Sequence, residues 1–521
     1  GFDPGRKALA RGVGLFFNAL ALAMALLLWW KFDPKSVKLQ FVERHDWIPS
    51  LNVQYFVGVD GLGLLMVLLA ALIVPFALLA SASRPREEAL NSPSEIGNPQ
   101  SAIRNPQSAI GPSFVSLLLF LQAGLFGAFT ALNFVHWFVF WELSLVPAYF
   151  LIKLWGGPQR TAAANQFFIY TMVGSVTLLL SMLAVFLVTG SWDFIELAEK
   201  GRNEELKSLF NVRISGWYGL SSHTLALVIF AGAFLGFAVK VPLAPFHTWL
   251  PAAYAEAPTG VSMVLTGVMS KMGVYGFLRV LMPIFPNEMR AVLPWLLGLA
   301  VVTIVASAWT AMTQRDLKRI VAYSSINHLG YCLLGIFAAT ATQITGGEPR
   351  WTTEKAAALN GVLLQMFNHG IIAAALFYFV GLIEQRAGRR GLEDFGGLRK
   401  VAPVFCGLMG ISMFASLGLP GLNGFVGEFL IFKGAFALSG WAAALSVLGL
   451  LTTAVFLLTI LQRVWNGPLE PKWSGFSDLT LVERCVALPA IGLMFLLGLC
   501  PQVVLAVINS TVLQLVDGLA K

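Results

Sequence analysis

Six ionisable side chains lie within long apolar stretches of this 521-residue sequence. They are Glu142, Lys240, Lys271, His328, His369 and Glu428. A charged group at the centre of a membrane helix costs about 2.5 to 3.5 kcal/mol on insertion scales, and such residues usually mark ion or proton pathways. The pattern therefore predicts that each of the six has either a charged partner or a chemical task.

A structural role is the alternative for each residue. A lysine and a glutamate can form a static ion pair that locks two helices together, which applies to Glu142, Lys240 and Lys271. A histidine inside a membrane can be an interhelical hydrogen-bonding group or a member of a proton relay. The residues alone leave both roles open for His328 and His369.

Other polar residues have simpler explanations. His136 and His247 lie close to helix ends or breaks, where we expect local roles. Asp60 opens an apolar segment and is predicted to be a helix N-cap. The four cysteines show no CxxC spacing, so they indicate neither a zinc site nor a disulfide framework.

The composition is that of a membrane protein. Hydrophobic residues make up 57% of the chain, charged residues 12%, and the mean hydropathy is +0.74. Soluble domains carry about 25% charged residues. The net charge of +8 is spread between apolar blocks and forms no basic run, which argues against nucleic-acid binding.

Apolar stretches of the length of a bilayer crossing, roughly 20 residues, recur thirteen times. The predicted helices cover 10–30, 58–82, 113–132, 133–153, 162–189, 222–242, 258–283, 290–312, 316–340, 356–384, 401–435, 439–464 and 481–503. Charged residues follow the first stretch in place of a small-residue cleavage site, so we expect it to remain as a helix. The fold class is all-α and polytopic.

The basic residues predict an orientation. The N-terminus and every second loop after it hold the larger share of Lys and Arg, which are retained on the cytoplasmic side. One of these loops, 83–112, is rich in Pro, Ser, Asn and Gln and repeats NPQSAI at 98–103 and 105–110. Such a composition cannot bury enough apolar surface to offset chain entropy, so we expect a flexible cytoplasmic insert.

Two predicted helices are interrupted next to charges. Pro242 and Pro245 follow Lys240, and the glycine- and proline-rich stretch 418–424 precedes Glu428. Both clusters should break the helical hydrogen-bond ladder, and broken membrane helices normally line a hydrated cavity. Each break falls in the fourth helix of a five-helix block, the pattern of an inverted-repeat transporter.

This pattern divides the chain into four parts. Residues 1–112 hold two leading helices and the insert 83–112, while residues 465–521 hold the last transmembrane helix and a C-terminal tail. The two five-helix repeats are predicted at 113–283 and 284–464.

Three stretches resemble a known family. They are KVPLAPFHTWLPAAYAEAPTGVSMVLTGVMSKMGVYGFLRV, RDLKRIVAYSSINHLGY and PGLNGFVGEFLIFKGAF. They resemble the antiporter-like subunits of proton-translocating NADH:quinone oxidoreductase, respiratory complex I, and the resemblance covers nearly the whole chain. It implies fourteen transmembrane helices, so the first is expected to be missing here, through truncation or an unresolved start.

The resemblance also implies roles for the six residues. Glu142 and Lys240 would be the coupled acid and base of one half-channel, and Lys271 would be the central lysine. His328 and His369 match the bridging histidines, and Glu428 matches the terminal proton carrier. Related chains L and N usually place a lysine at that last position, so the glutamate is similar to the chain M branch of the family.

Partners and location follow from the same resemblance. It implies chains L and N as neighbours in the bilayer, with protons and internal waters as the transported and conducting species. The membrane would be an energy-transducing one, most simply the bacterial inner membrane. Redox chemistry would belong to partner subunits, because no GxGxxG motif or cysteine cluster could hold a nicotinamide, a flavin or an iron-sulfur centre. No cofactor or metal is predicted.

Other functions stay open. The chain could be a subunit of a multisubunit sodium/proton antiporter or of a membrane-bound hydrogenase, whose large subunits are similar in sequence. It could also be a membrane cytochrome in which His328 and His369 ligate haem, although a second suitable histidine pair is missing from the sequence.

Overall fold

The computed structural model describes residues 4–82, 111–206, 208–209, 221–341, 344–345, 348–349 and 352–520. The helices are α1 Pro4–Lys31, α2 Gly61–Ala82, α3 Pro112–Thr130, α4 Phe134–Trp155, α5 Arg160–Thr189, α6 Phe194–Arg202, α7 Ser222–Lys240, α8 Trp249–Glu256, α9 Thr259–Ile284, α10 Pro286–Ala291, α11 Leu293–Thr313, α12 Leu317–Ala339, α13 Thr352–Ala387, α14 Pro403–Ser416, α15 Asn423–Leu438, α16 Gly440–Trp465, α17 Leu481–Leu499 and α18 Gln502–Ala520. The prediction of a mainly helical membrane fold is confirmed. The predicted insert at 83–112 lies almost entirely outside the described residues.

An antiparallel hairpin between α1 and α2 was not predicted. Its strands are β1 Gln40–Ile48 and β2 Val53–Val59, and two further short strands, β3 Ile344–Thr345 and β4 Glu348–Pro349, pair with each other. Leu132 N donates to Phe56 O at 2.9 Å, which ties the hairpin to the loop between α3 and α4. We call the side of the bundle that carries β1 and β2 the hairpin face, and the other side the basic face.

Helix α18 fills the segment that was predicted as a C-terminal tail. It is one of thirteen helices in the described residues that are long and apolar enough to cross a membrane. Its contacts nevertheless lie along one side of the bundle: Gly61 N donates to Thr511 Oγ1 at 2.9 Å, and Arg290 Nη2 donates to Leu519 O at 2.5 Å. Gly61 and Arg290 both lie at the hairpin face, so α18 runs along that face and does not cross.

The predicted crossing at 401–435 exists as two shorter helices. Helix α14 starts at the basic face, the chain breaks at 417–422, and α15 continues to the hairpin face. With this broken crossing counted and α18 set aside, the described residues contain thirteen crossings, the number predicted from the sequence.

Two helices lie at the centre of the bundle. Over their apolar windows α9 and α13 are completely buried, whereas α1 is largely exposed. A helix that is apolar on all sides is buried on all sides. The central position of α9 and α13 places Lys271 and His369 far from either surface.

Both predicted breaks occur where proline and glycine interrupt the chain. Helix α7 ends at Lys240 and α8 begins at Trp249, so the first break spans 241–248. Backbone groups near it find partners outside the ladder: Ala244 N donates to Thr303 Oγ1 at 3.0 Å, and Val239 O accepts from Trp249 Nε1 at 3.0 Å. These bonds satisfy backbone groups that the interrupted helical ladder leaves free, so the break is stable inside the bundle.

An ionic cluster at the basic face joins α8 to α12 and α13. Arg390 lies 2.6 Å from Asp316, 3.1 Å from Glu384 and 3.1 Å from Glu256. Glu256 ends α8, Asp316 directly precedes α12, and Glu384 lies near the end of α13. Lys318 adds a further contact to Glu384, at 2.6 Å. Arg390 therefore fastens the segment that follows Lys240 to α12 and α13.

We expect Arg390→Gln to destabilise the chain by about 2 kcal/mol, because the Arg390 side chain is only 20% exposed and hydrogen bonds to charged groups contribute roughly 1.5 to 3 kcal/mol. Arg389→Gln is the matched control: its side chain is 66% exposed and 3.6 Å from Asp394, and surface pairs contribute about 0 to 1 kcal/mol. The measurement is the thermal unfolding midpoint of the purified protein. Equal midpoints for the two variants would contradict a clamping role for Arg390.

Candidate functional site

Lys271 is fully buried in the middle of α9. Two π-helical turns, Leu265–Met269 and Phe277–Leu281, flank it, and such turns are frequent at functional sites. Its Nζ donates to the backbone carbonyl of Thr266 and lies 2.8 Å from Nδ1 of His369 on α13. Because an ammonium group only donates, His369 Nδ1 is the acceptor when Lys271 is protonated.

His328 is the next group along this line. Its ring, on α12, lies with its centroid 5.2 Å from that of His369. Nε2 is 3.1 Å from Ser416 Oγ, and Nδ1 is 2.9 Å from Oε1 of Glu428. The second contact has the distance of an ion pair, although its alignment is poor for a hydrogen bond. His328 therefore contacts both sides of the break between α14 and α15.

Glu428 lies in the second turn of α15, just beyond the second break. Its Oε1 also accepts a hydrogen bond from Gln365 Nε2 at 3.2 Å. The start of the same helix is held by Asn368, whose Nδ2 donates to Asn423 O at 2.7 Å. The structure thus places Lys271, His369, His328 and Glu428 in one row across α9, α13, α12 and α15.

Lys240 and Glu142 are not part of this row. Lys240 Nζ lies 4.6 Å from the ring centroid of Trp141, and it has no hydrogen-bonding partner among the described residues. A desolvated ammonium group over an indole face gains about 2 kcal/mol. Lys240 also occupies the last turn of α7, where the helix dipole favours a cation.

Glu142 follows Trp141 on α4 and is only partly buried. Its Oε1 has no hydrogen-bonding partner within the described part of the chain, and no ion pair shorter than 4 Å joins it to Lys240 there. Lys240 and Glu142 both lie next to Trp141, but their charged groups do not contact each other as an ion pair. A static lock between Glu142 and Lys240 is therefore absent from the arrangement that the structure describes.

The end of α7 passes close to α9. A Cβ atom on Gly273 would lie 2.8 Å from Val241 N and 3.2 Å from the carbonyl carbon of Lys240. Only a glycine allows this approach of two backbones, so the break that follows Lys240 packs directly on the helix that carries Lys271.

The local roles expected for other residues agree with their contacts. Asp60 Oδ1 accepts from Gly63 N at 3.0 Å, which is the predicted N-cap, and Asp60 also pairs with Arg279 at 2.6 Å. The ring of His136 lies 4.8 Å from that of Tyr55 in the hairpin. His247 lies in the first break, with its ring 6.5 Å from that of Tyr323.

Sequence reasoning missed three polar neighbours of the six residues. Gln365 precedes His369 by four positions, so helical spacing places it on the same face. Ser416 is the last residue before the second break, and Trp141 is adjacent to Glu142 in the sequence. Gln365 was accessible to a search for polar residues at helical spacing, whereas the contacts of Ser416 and Trp141 depend on helix packing.

The arrangement is suited to the exchange of protons. Ammonium, imidazole and carboxylate groups follow one another over short distances. His369 Nδ1 faces Lys271, and the two nitrogens of His328 face Ser416 and Glu428, so each imidazole has a neighbour that can donate or accept a proton. In the described residues no group of three or more His, Cys, Asp or Glu side chains could hold a metal ion. His328 also directs both ring nitrogens at Ser416 and Glu428, which disfavours a role as a haem ligand.

A family model for the transmembrane region of NADH:quinone oxidoreductase and Mrp antiporter proteins matches residues 131–455. The match spans both breaks and all six residues. The chain belongs to this family.

Two curated members of the family illustrate how far the likeness extends. The chain is 33% identical to NADH-quinone oxidoreductase subunit M of Mycobacterium tuberculosis, over 98% of this chain and 89% of that protein. It is 34% identical to subunit M of Rhodobacter capsulatus, over 99% and 92% of the two chains. The resemblance to complex I is thereby confirmed.

Solved structures show the same fold. A chain of respiratory complex I from Thermus thermophilus with bound NADH superposes with a TM-score of 0.80 at 27% identity, covering 99% of this family member and 98% of that chain. A chain of the Mrp complex from Dietzia sp. superposes with a TM-score of 0.78 at 20% identity, covering 99% and 95%. The second likeness concerns the fold alone.

We expect Gly418→Ala to impair proton transfer more than Gly421→Ala. Both glycines lie in the second break with positive φ, +79° and +93°, so alanine costs about 1 to 2 kcal/mol of backbone strain at either position. A Cβ at Gly418 would also come within 2.7 Å of Glu428 Oε2, whereas one at Gly421 meets nothing within 4 Å. Proton uptake by vesicles containing each variant is the measurement, and equal losses would show that the break, not the carboxylate position, is what matters.

Proposed function

We propose that the chain is the antiporter-like, proton-translocating membrane subunit of an NADH:quinone oxidoreductase. The relatives named subunit M support the assignment to this complex. The observation that carries the mechanism is the row of contacts from Lys271 through His369 and His328 to Glu428. It links the first five-helix block to the second inside the membrane.

The first block would load the relay. Lys240 is buried against Trp141, and the charge of the nearby Glu142 decides whether an ammonium group is stable there. Moving one charge against 150 to 200 mV costs roughly 3.5 to 4.6 kcal/mol. Because the two charges are more than 4 Å apart, their attraction amounts to at most about 4 kcal/mol at the effective dielectric of a protein. A change at Glu142 is thus large enough to release one proton from Lys240.

The released proton would pass to Lys271 through water at the first break. Lys271 donates to His369 Nδ1, and the imidazolium that forms would give up its Nε2 proton to a water that passes it to His328, whose ring centroid lies 5.2 Å away. The protonated His328 would then give its Nδ1 proton to Glu428 Oε1, 2.9 Å away, once the ring turns into line, while Ser416 holds the other nitrogen. Because each imidazole takes a proton at one nitrogen and releases one from the other, it has to return to its starting tautomer, by ring rotation or by exchange with water, before the next proton arrives.

Energy for transport would come from quinone reduction in partner subunits, because this chain offers no motif for a redox centre. Chains similar to subunits L and N are the neighbours that the family implies. The membrane would be a bacterial inner membrane, in keeping with the bacterial relatives. This chain would act as a non-redox part of the enzyme.

Sodium/proton exchange is the second candidate, because the Mrp complex chain has the same fold. The glutamate at 428 argues against it, since the antiporter subunits that the sequence resembles usually carry lysine there. Replacing sodium by choline in the transport assay discriminates the two: exchange by an antiporter stops, whereas quinone-driven proton uptake continues.

The decisive variant is Glu428→Gln, which keeps size and hydrogen bonding but cannot change its protonation. We expect proton transfer through this chain to fall about 100-fold or more, the usual contribution of a positioned acid or base. The measurement is NADH-driven proton uptake by vesicles that contain assembled complex, normalised to the amount of complex.

Two controls accompany this variant. Glu428→Asp should retain part of the activity if a water bridges the shorter reach. Glu470→Gln removes a carboxylate that is 53% exposed and should transport like the parent. Parent-level transport by Glu428→Gln would make Glu428 a structural residue and would refute the relay.

A further inference from the structure

A second row of polar side chains starts where the relay ends. On α16 and the residue before it, Ser439, Ser446 and Thr453 are spaced by seven positions and therefore lie on one side of the helix. All three are buried, Ser446 completely. Thr452 lies on a more exposed side of the same helix, where its hydroxyl donates to Leu448 O at 2.8 Å.

This side of α16 faces α12. Asn327 Nδ2 donates to Thr453 Oγ1 at 2.6 Å. Gly449 lies between Ser446 and Thr453, and a Cβ there would be 3.2 Å from Asn327 Oδ1 and 3.4 Å from Tyr331 Oη. The polar groups of the two helices thus meet in one seam, which we call the α12–α16 seam.

Four polar atoms of the seam lack hydrogen-bonding partners among the described residues: Asn327 Oδ1, Tyr331 Oη, Ser446 Oγ and Ser439 Oγ. Tyr331 Oη lies beside Asn327 and Thr453 without a well-aligned bond to either. More than about 90% of buried polar groups in proteins are hydrogen-bonded, and buried waters supply the partners that side chains do not. A row of such atoms indicates a row of ordered waters.

The seam connects the relay to the hairpin face. At its inner end, Tyr331 packs against His328 with ring centroids 5.6 Å apart, and Asn327 directly precedes His328. At its outer end, Ser439 is followed by exposed residues at the start of α16. Helical rise places Thr453 roughly 20 Å deeper than Ser439, about two thirds of a bilayer core.

We propose that the α12–α16 seam is the exit route for protons that leave Glu428, and this proposal rests on the proposed function. Glu428 gives its proton to a water, and each following water or hydroxyl accepts one proton and releases another. No seam group keeps a net charge, so none needs to be a strong acid or base. The route ends at the hairpin face, opposite the face that the basic residues predict to be cytoplasmic.

The test compares two neighbouring threonines on α16. Thr453→Val removes a hydroxyl group from the seam and keeps the shape, and Thr452→Val makes the same change on the exposed side. We expect NADH-driven proton transport to fall about tenfold for Thr453→Val, as when one hydrogen bond along the route is lost, and to stay unchanged for Thr452→Val. Ser446→Leu, which fills the water space, should block transport more strongly.

If the Ser446→Leu variant does not assemble, Tyr331→Phe replaces it in the test. This substitution removes only the Tyr331 oxygen, which has no hydrogen-bonding partner among the described residues. Glu428→Gln is measured beside these variants. If Glu428→Gln blocks transport but Thr453→Val and Tyr331→Phe match Thr452→Val, the exit route is wrong and the relay stands. If Glu428→Gln also transports normally, the proposed relay through Glu428 is refuted, and the exit route that rests on it is refuted with it.

Discussion

The contact between Lys271 Nζ and His369 Nδ1 is the interaction on which the rest of the site depends. It is the point where a charge on α9 meets a titratable group on α13, at 2.8 Å and away from both surfaces. A buried ammonium is stabilised by hydrogen-bond acceptors around it. The Thr266 carbonyl and His369 provide two of them, and the π-helical turns on either side of Lys271 shape the helix at this point.

The two breaks act on the ends of this central contact. The first lets α7 stop at Lys240 and brings its end against α9 at Gly273. The second opens the chain between Ser416 and Asn423, so that His328 reaches a hydroxyl on one side and a carboxylate on the other. At the basic face, Arg390 holds the segment after the first break to the second block. The first break is therefore joined to the central contact by backbone packing, and the second by polar contacts of His328.

Much of this arrangement could be predicted from the sequence. The long apolar stretches predicted the number of membrane crossings, and the prolines and glycines next to Lys240 and Glu428 indicated where two helices are interrupted. Which charges touch could not be predicted, because contact depends on the rotation of each helix about its axis. Lys271 and His369 meet for that reason, while Glu142 and Lys240 remain apart around Trp141.

Other features left weaker signals in the sequence. The hairpin formed by β1 and β2 has strands of nine and seven residues, and β1 is exposed along nearly its whole length, so it carries no regular alternation of apolar and polar residues. Helix α18 is apolar enough to cross a membrane, and only its contacts with Gly61 and Arg290 show that it lies along the hairpin face. The seven-residue spacing in the α12–α16 seam is visible in the sequence but is common in helices, so it gains meaning only from the buried atoms that lack partners.

In the proposed mechanism, protons cross from α9 to α13 through Lys271. Replacing Lys271 by methionine keeps the length and apolar contacts of the side chain and removes its proton. The most direct measurement is the proton yield per NADH oxidised by vesicles that contain the assembled Lys271→Met complex. We expect the yield to fall by the whole share carried by this chain, with assembly retained. A yield equal to that of the parent would contradict it.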